Sequence, residues 1–191
     1  MKILSKKNIA KFLHPLTYYN YLKRNIKIII TKASYKNIEC DVRDLFLLLK
    51  KDNQFYRYDI IVRYLAVENF YNKNDFGFDL YKKMQSKRVS FLHSEARTKR
   101  YKELIESYDK KGHKSSSKIL LWDNLHLYDG SHRIALALYH KAYKIKCKVR
   151  PDTWVCNFYG LEWFEKTGFS YEEINKIQEK YNEIFNEIKR Y

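Results

Sequence analysis

Apolar residues recur every three or four positions through much of the first half of the chain, which is the spacing of amphipathic helices. In residues 41–71 they form two stripes: Val42, Leu45, Phe46, Leu48 and Leu49, then Ile60, Ile61, Tyr64 and Leu65. Residues 78–87 and 97–111 continue this periodicity. The pattern therefore predicts helices over all three ranges.

Strands are predicted in the second half. Residues 119–122 and 125–128 flank the turn-forming pair Asp123-Asn124 and should pair as a hairpin. Residues 143–150 alternate between an apolar face and a basic face formed by Lys144, Lys146, Lys148 and Arg150. A last amphipathic helix is predicted over 171–190, with Ser170 as its N-cap. Its expected buried stripe is Ile174, Ile177, Tyr181, Ile184 and Ile188.

The run Asp129, Gly130, Ser131, His132 and Arg133 lies between the second strand of the hairpin and an apolar helix at 134–139. Gly130 permits a sharp turn, and the helix directs unpaired N–H groups and the positive end of its dipole at that turn. Ser131 adds a hydroxyl donor and Arg133 a planar fork that suits phosphate. Asp129 is a candidate metal ligand, base or partner for Arg133, and His132 is a candidate for phosphate binding or proton transfer. The alternative is an ordinary capped helix.

The formal net charge of +16 is compatible with an anionic partner. In residues 1–36 cations are mixed with apolar residues, with an interruption at Pro15. Such a segment suits peripheral contact with an anionic membrane, the alternative being a helix packed on its own domain with a solvated basic face. The three cysteines lack metal-binding spacing, and no apolar stretch is long enough to span a bilayer. A cytoplasmic protein with reduced thiols is therefore expected.

Other residues are candidates for the same chemistry. Glu68 lies in an otherwise apolar stretch and is a candidate base, although a surface position on an amphipathic helix is equally compatible with the pattern. Arg97, Lys99 and Arg100 could contact phosphates, but a solvated basic patch is the favoured interpretation. His126 is expected to be structural, and the tryptophans are expected in the core.

The predicted helix at 97–111, the hairpin, the turn at 129–133 and the following helix and strand resemble the ParB/sulfiredoxin-like superfamily over about residues 97–150. The resemblance implies an α+β fold, in which a small mixed sheet is packed with helices. A basic, mainly helical region would occupy 1–90, the nucleotide-binding core 91–155 and a C-terminal helical extension 156–191. Nucleotide phosphates would lie on the helix that the turn opens.

The turn residues distinguish members of this superfamily. Ser131 occupies the position of the reactive cysteine of sulfiredoxins, which argues against sulfinic acid reduction. Asp129, His132 and Arg133 best match the free serine kinases, which also use an upstream glutamate, for which Glu68 is the candidate. ParB partition proteins bind CTP and carry a helix-turn-helix domain after this unit. The residues that follow 150 are too few to predict such a domain.

The resulting hypothesis is a nucleotide-dependent kinase of a small hydroxylated metabolite. ATP or ADP, with CTP as a further candidate, would bind through Gly130, Ser131, His132 and Arg133. Asp129 would hold Mg²⁺, and Asp129, Glu68 and His132 are the candidate catalytic residues. One alternative is a ParB-like nucleic-acid-binding or nuclease protein that uses the basic strand face. Another is a non-catalytic nucleotide-binding module held at the inner membrane face by residues 1–36. The resemblance also suggests a surface-polysaccharide pathway.

Overall fold

The computed structural model describes residues 35–51, 54–89, 91–111, 118–151 and 158–190. The expectations for residues 1–34, including membrane contact, and for Trp154 and Cys156 lie outside these residues. Within them the chain combines helices with a small mixed sheet, as the sequence predicts. None of the helices described there is long and apolar enough to cross a membrane.

Helices and strands are interspersed along the described chain. The helices are α1 (Val42–Leu47), α2 (Tyr58–Phe70), α3 (Gly77–Arg88), α4 (Phe91–Lys111), α5 (Ser131–Tyr139), α6 (Leu161–Lys166) and α7 (Tyr171–Lys189). The strands are β1 (Lys36–Asp41), β2 (Lys50–Lys51), β3 (Gln54–Phe55), β4 (Ile119–Leu121), β5 (Leu127–Asp129) and β6 (Lys144–Val149).

Four strands form one mixed sheet in the order β1-β6-β4-β5. Strands β4 and β6 are parallel, whereas β1 pairs with β6, and β5 with β4, in antiparallel register. The chain leaves β4 through the hairpin to β5 and returns through α5 to β6. This connection places the start of α5 directly after the end of β5, as the sequence predicts for the turn at 129–133.

Helix α2 carries much of the core and packs against α3, α5 and α7. Its buried residues include two charged ones, Asp59 and Arg63. Helix α3 approaches α2 very closely at Gly77, where an added Cβ would lie 2.0 Å from the carbonyl oxygen of Leu65. The side chain of Asn74 fixes this start of α3 by accepting a hydrogen bond from the Gly77 N–H at 2.9 Å.

The prediction for the C-terminal helix is confirmed. Ser170 and Glu173 form a reciprocal capping box at the start of α7, and the five residues of the predicted stripe are the buried ones. In β6, Ile145 and Cys147 are buried as the alternation requires. Cys40 and Cys147 are free thiols.

Other elements differ from the predicted ones. Residues 41–71 do not form helices throughout, because the β2–β3 hairpin separates α1 from α2, and Leu48 is 44% exposed. Strand β1 and the short helix α6 were not predicted: β1 has only two apolar residues, Ile38 and Cys40, in alternating positions, and α6 has fewer than two helical turns. Arg150 was expected on the exposed face of its strand, but β6 ends at Val149 and Arg150 is buried instead. Its guanidinium lies 4.9 Å from the ring centroid of Trp122.

Candidate anion-binding site

The turn between β5 and α5 has the conformation that its glycine predicts. Gly130 has φ +115°, which favours glycine, and an added Cβ would lie 3.0 Å from the side chain of Ile119. Asp129 is exposed, and its Oδ1 accepts a hydrogen bond from the Gly130 N–H at 2.8 Å. The Arg133 N–H donates to the Gly130 carbonyl at 2.9 Å, which leaves the N–H groups of Ser131 and His132 as the donors that the start of α5 offers to an anion.

Ser131 connects this turn to α2. Its Oγ accepts a hydrogen bond from Nη2 of Arg57 at 2.8 Å. Arg57 also donates to both carboxylate oxygens of Asp59, from Nε at 2.7 Å and from Nη2 at 3.1 Å. The start of α5 and the start of α2 are therefore joined through a single guanidinium.

Asp59 lies at the centre of several arginines. Its side chain is fully buried, and Arg63 donates to Oδ2 from Nη1 at 2.9 Å. Arg88 approaches the same oxygen at 3.8 Å. Burial alone would raise the pKa of Asp59, but the positive charges of Arg57 and Arg63 lower it to about 2. Asp59 is therefore ionised at neutral pH and neutralises one of the positive charges around it.

A fourth arginine joins from α4. Arg97 donates from Nη1 to Oε1 of Gln85 at 3.0 Å, and Gln85 is fully buried. Gln85 and Arg88 are three residues apart on α3 and therefore lie on one face of that helix. We call Arg57, Arg63, Arg88 and Arg97, with Asp59, the arginine cluster.

Three buried nitrogen atoms in and beside the arginine cluster lack a hydrogen-bond partner within the described part of the chain. They are Nε of Arg63, Nη1 of Arg88 and Nε2 of Gln85. All three are donors, and a buried donor without an acceptor costs about 1–3 kcal/mol. A ligand that supplies acceptors and negative charge would satisfy them.

His132 lies beside the arginine cluster. Its Nε2 is 2.8 Å from the hydroxyl of Tyr81, and its ring centroid is 4.4 Å from that of Tyr101. Loss of solvent around the imidazole, together with the positive charge of Arg63, lowers the pKa of His132 well below its usual value. The imidazole is therefore neutral at physiological pH.

Two residues singled out in the sequence lie elsewhere. Arg133 donates from Nη1 to the backbone carbonyl of Lys118 at 3.1 Å, which holds its guanidinium at the start of β4. Glu68 pairs with Lys180 of α7 at 2.9 Å. It is nine residues from Asp59 along α2, a separation of about 13 Å at the usual helical rise. The structure thus brings Ser131 and His132 to the arginine cluster, but not Glu68, and the roles assigned to Glu68 and Arg133 stay predictions.

Four residues of the cluster were not predicted from the sequence: Arg57, Asp59, Arg63 and Arg88. A signal for two of them was present, because Asp59 and Arg63 are charged residues four apart in an otherwise apolar helix. The same argument that singled out Glu68 applies to them. Arg57 precedes that helix, and its contact with Asp59, two residues away, has no periodic signal in the sequence. Arg88 carries no signal either, because it reaches Asp59 only through the packing of α3 on α2.

The described residues also bear on the other candidate partners. They contain no group of three or more His, Cys, Asp or Glu side chains that could hold a metal ion. On the basic strand face, Lys144 and Lys146 lie opposite Asp41 and Glu39 of β1, so their charge is partly compensated. Searches with the chain found no matching protein-family model, no matching characterised protein and no matching solved structure.

Proposed function

We propose that the protein is a nucleotide-dependent phosphotransferase that acts on a small hydroxylated metabolite. The nucleotide phosphates would bind between the arginine cluster and the start of α5. The observation that carries this proposal is the set of three unpaired buried donors beside an excess of arginines.

The balance of charge favours a ligand with several negative charges. Three guanidinium groups around the single carboxylate of Asp59 leave two positive charges, and Arg97, which bonds to Gln85, adds a third at a more exposed position. A guanidinium forms paired hydrogen bonds with phosphate oxygens and cannot lose its proton at physiological pH. A di- or triphosphate fits this arrangement better than a carboxylate, which carries one charge.

The chemical step would place the acceptor hydroxyl near Asp129. This carboxylate would take the hydroxyl proton while the acceptor oxygen bonds to the terminal phosphorus and the bond from phosphorus to the nucleotide's bridging oxygen breaks. Exposed Asp129 would be the residue that holds Mg²⁺, which would supply positive charge against the phosphates. Phosphoryl transfer depends mostly on positioning and electrostatics, which the arginines and the α5 N–H groups supply.

Calorimetry with ATP, ADP, CTP and inorganic pyrophosphate tests the binding part. Arg88→Gln removes one unpaired donor and one charge, and Arg88 is partly exposed, so the change should leave the fold intact. Since a hydrogen bond to a charged group is worth about 1.5–3 kcal/mol, we expect affinity to fall about 10- to 100-fold.

The matched control is Lys87→Gln, which removes a cation from an exposed position one residue away on α3. We expect this control to change affinity by less than about threefold, because an exposed charge is screened. Absence of binding for all four compounds, or an equal loss in both variants, would contradict the proposed anion site.

Transfer is measured separately, as nucleoside diphosphate formed in the presence of serine, homoserine, glycerol and other small hydroxylated compounds. Loss of a general base typically costs about 10²–10⁴-fold, so Asp129→Asn should lower the rate by at least that amount, while nucleotide affinity measured without Mg²⁺ is retained. Asp123→Asn, at the exposed hairpin turn, is the control. Nucleotide binding without transfer to any of these compounds would favour a non-catalytic nucleotide-binding protein.

A further inference from the structure

A second cavity of about 950 Å³ lies between the β2–β3 hairpin, α6 and α7. Its volume is at the upper end of the range of about 300–1,000 Å³ that is common for small-molecule sites. Tyr56 and Tyr58 line it, whereas the side chain of Arg57 between them reaches Asp59 and Ser131. The cavity and the arginine cluster therefore share one short segment but use different side chains.

Aromatic rings form much of the wall. Phe55, Tyr58 and Tyr181 are packed on one another, with the centroid of Phe55 at 5.0 Å from Tyr58 and at 4.6 Å from Tyr181. Trp163 and Phe158 add further rings, and Phe158 is 52% exposed. The three packed rings are at most 8% exposed and support the wall from behind, so Phe158 and the half-buried Trp163 offer the ring surface that a ligand can contact.

A row of carboxamides lies along the side of the cavity formed by α7. Gln178, Asn182 and Asn186 are each four residues apart and so occupy one face of the helix. Tyr58 donates to Oε1 of Gln178 at 2.8 Å, and Nε2 of Gln178 donates to Oδ1 of Asn182 at 3.1 Å. These bonds orient the first two amides. Each carboxamide carries both donors and acceptors, unlike an arginine.

The charged residues of the cavity are two lysines and one glutamate, which leave one positive charge. Lys166 pairs with Glu162 at 3.4 Å, and the ammonium of Lys50 lies 5.3 Å from the ring centroid of Phe185. The lining therefore has a smaller charge excess than the arginine cluster. Its hydrogen-bonding groups match a neutral ligand whose own groups both donate and accept, as hydroxyls do.

We propose that this cavity binds a neutral saccharide, with the apolar faces of the sugar rings against the aromatic wall and the hydroxyls on the carboxamides of α7. This combination of apolar rings with a few oriented polar groups is typical of small-molecule sites. The inference does not depend on phosphotransfer, because none of the residues that carry it belongs to the arginine cluster.

Saturation-transfer NMR with the full chain tests the inference, using glucose, galactose, mannose, N-acetylglucosamine, cellobiose, maltose, lactose and diacetylchitobiose as probes. Each is used at up to about 10 mM, which would nearly saturate a site with a Kd of about 1 mM. We expect at least one of these sugars to bind. The double variant Asn182→Ala with Asn186→Ala should weaken that binding about tenfold, as loss of two hydrogen bonds implies.

Asn175→Ala is the matched control, because it removes the same side chain from α7 outside the lining of this cavity. It should change the affinity less than about twofold. Arg88→Gln should leave sugar binding unchanged, which separates this outcome from that of the anion site. The inference is overturned if no sugar binds, if the double variant binds as the unmodified chain does, or if a proline-rich peptide or indole occupies the cavity and the sugars do not displace it.

Discussion

The arginine cluster and the cavity between the β2–β3 hairpin, α6 and α7 lie beside the same three residues, Tyr56–Arg57–Tyr58. They differ in whether their polar groups can donate hydrogen bonds, accept them or do both. In the cluster the acceptors belong to Asp59 and are already bonded to Arg57 and Arg63, while two arginine donors are buried without a hydrogen-bond partner in the described chain. The cavity presents amides, which both donate and accept. The donor or acceptor character of the side chains therefore restricts the class of ligand more than the volume of the site does, since a guanidinium has no acceptor atom.

The two regions should also differ in how they affect stability. Like charges held together with unpaired buried donors oppose folding, so an anion that binds only the folded chain should raise its stability as its concentration rises. The cavity carries little net charge, so its polar groups should lower the free energy of unfolding less than the arginine cluster does. The following changes test that contrast.

The largest effect is expected for Asp59→Asn. The substitution leaves Arg57 and Arg63 buried without their counter-ion, and breaking a buried ion pair in this way costs about 3–5 kcal/mol. Urea denaturation measures this loss. Pyrophosphate at millimolar concentration should restore part of it, whereas a bound neutral sugar should stabilise the variant and the unmodified chain alike. Unchanged stability in the variant would remove the electrostatic account of the cluster.

A smaller, pH-dependent effect is expected from His132. Because its pKa is lowered in the folded chain, the unfolded chain binds a proton that the folded one does not once the pH falls below about 6.5. Stability should therefore decrease as the pH falls from 6.5 towards the folded pKa, by up to about 1.4 kcal/mol per pH unit.

Denaturation of His132→Gln is measured at several pH values between 7.5 and 4.5. The free energy of unfolding of this variant should fall less steeply with decreasing pH than that of the unmodified chain. His93→Gln, at an exposed position of α4, is the control and should keep the slope. Pyrophosphate should flatten the slope of the unmodified chain, since an anion in the cluster opposes the charge that disfavours protonation. A slope that is equal in both variants would show that His132 is not the titrating group.

The smallest effect on stability is expected for Gln85→Leu. This change removes a buried unpaired donor together with the acceptor of Arg97, which is exposed enough to be solvated. Stability should change by less than about 1 kcal/mol, while pyrophosphate affinity falls about tenfold. A large loss of stability with unchanged affinity would indicate that Gln85 acts only in packing.

Local patterns predicted the parts of the fold that depend on neighbours in the chain. The capped, amphipathic α7 and the turn at Gly130 are of this kind, because a periodic stripe, an N-cap and a glycine before a helix each act over a few residues. The hairpin at β2–β3 was missed because its strands have two residues each and interrupt an otherwise helical spacing.

Only part of the candidate site could be predicted from local sequence patterns. Ser131 and His132 belong to the turn and could be singled out, but their partners come from α2, α3 and α4. Arg88 meets Asp59 only when α3 packs on α2, and its sequence context is that of a solvated helix end. Tertiary packing, which no local pattern encodes, converts these separate cations into one cluster.

The close packing of α2 and α3 at Gly77 also determines where the other end of α3 lies. Helix α3 is a stiff rod with Gly77 pressed against the backbone of α2 at one end and Arg88 at the other, about 16 Å away at the usual helical rise. A methyl group at position 77 would clash with the backbone of α2 and push this end of α3 away from it. Because α3 is rigid, a tilt at Gly77 would displace the other end by a distance that grows with the length of the helix. One carbon atom far from the arginines would therefore move Arg88 and weaken anion binding.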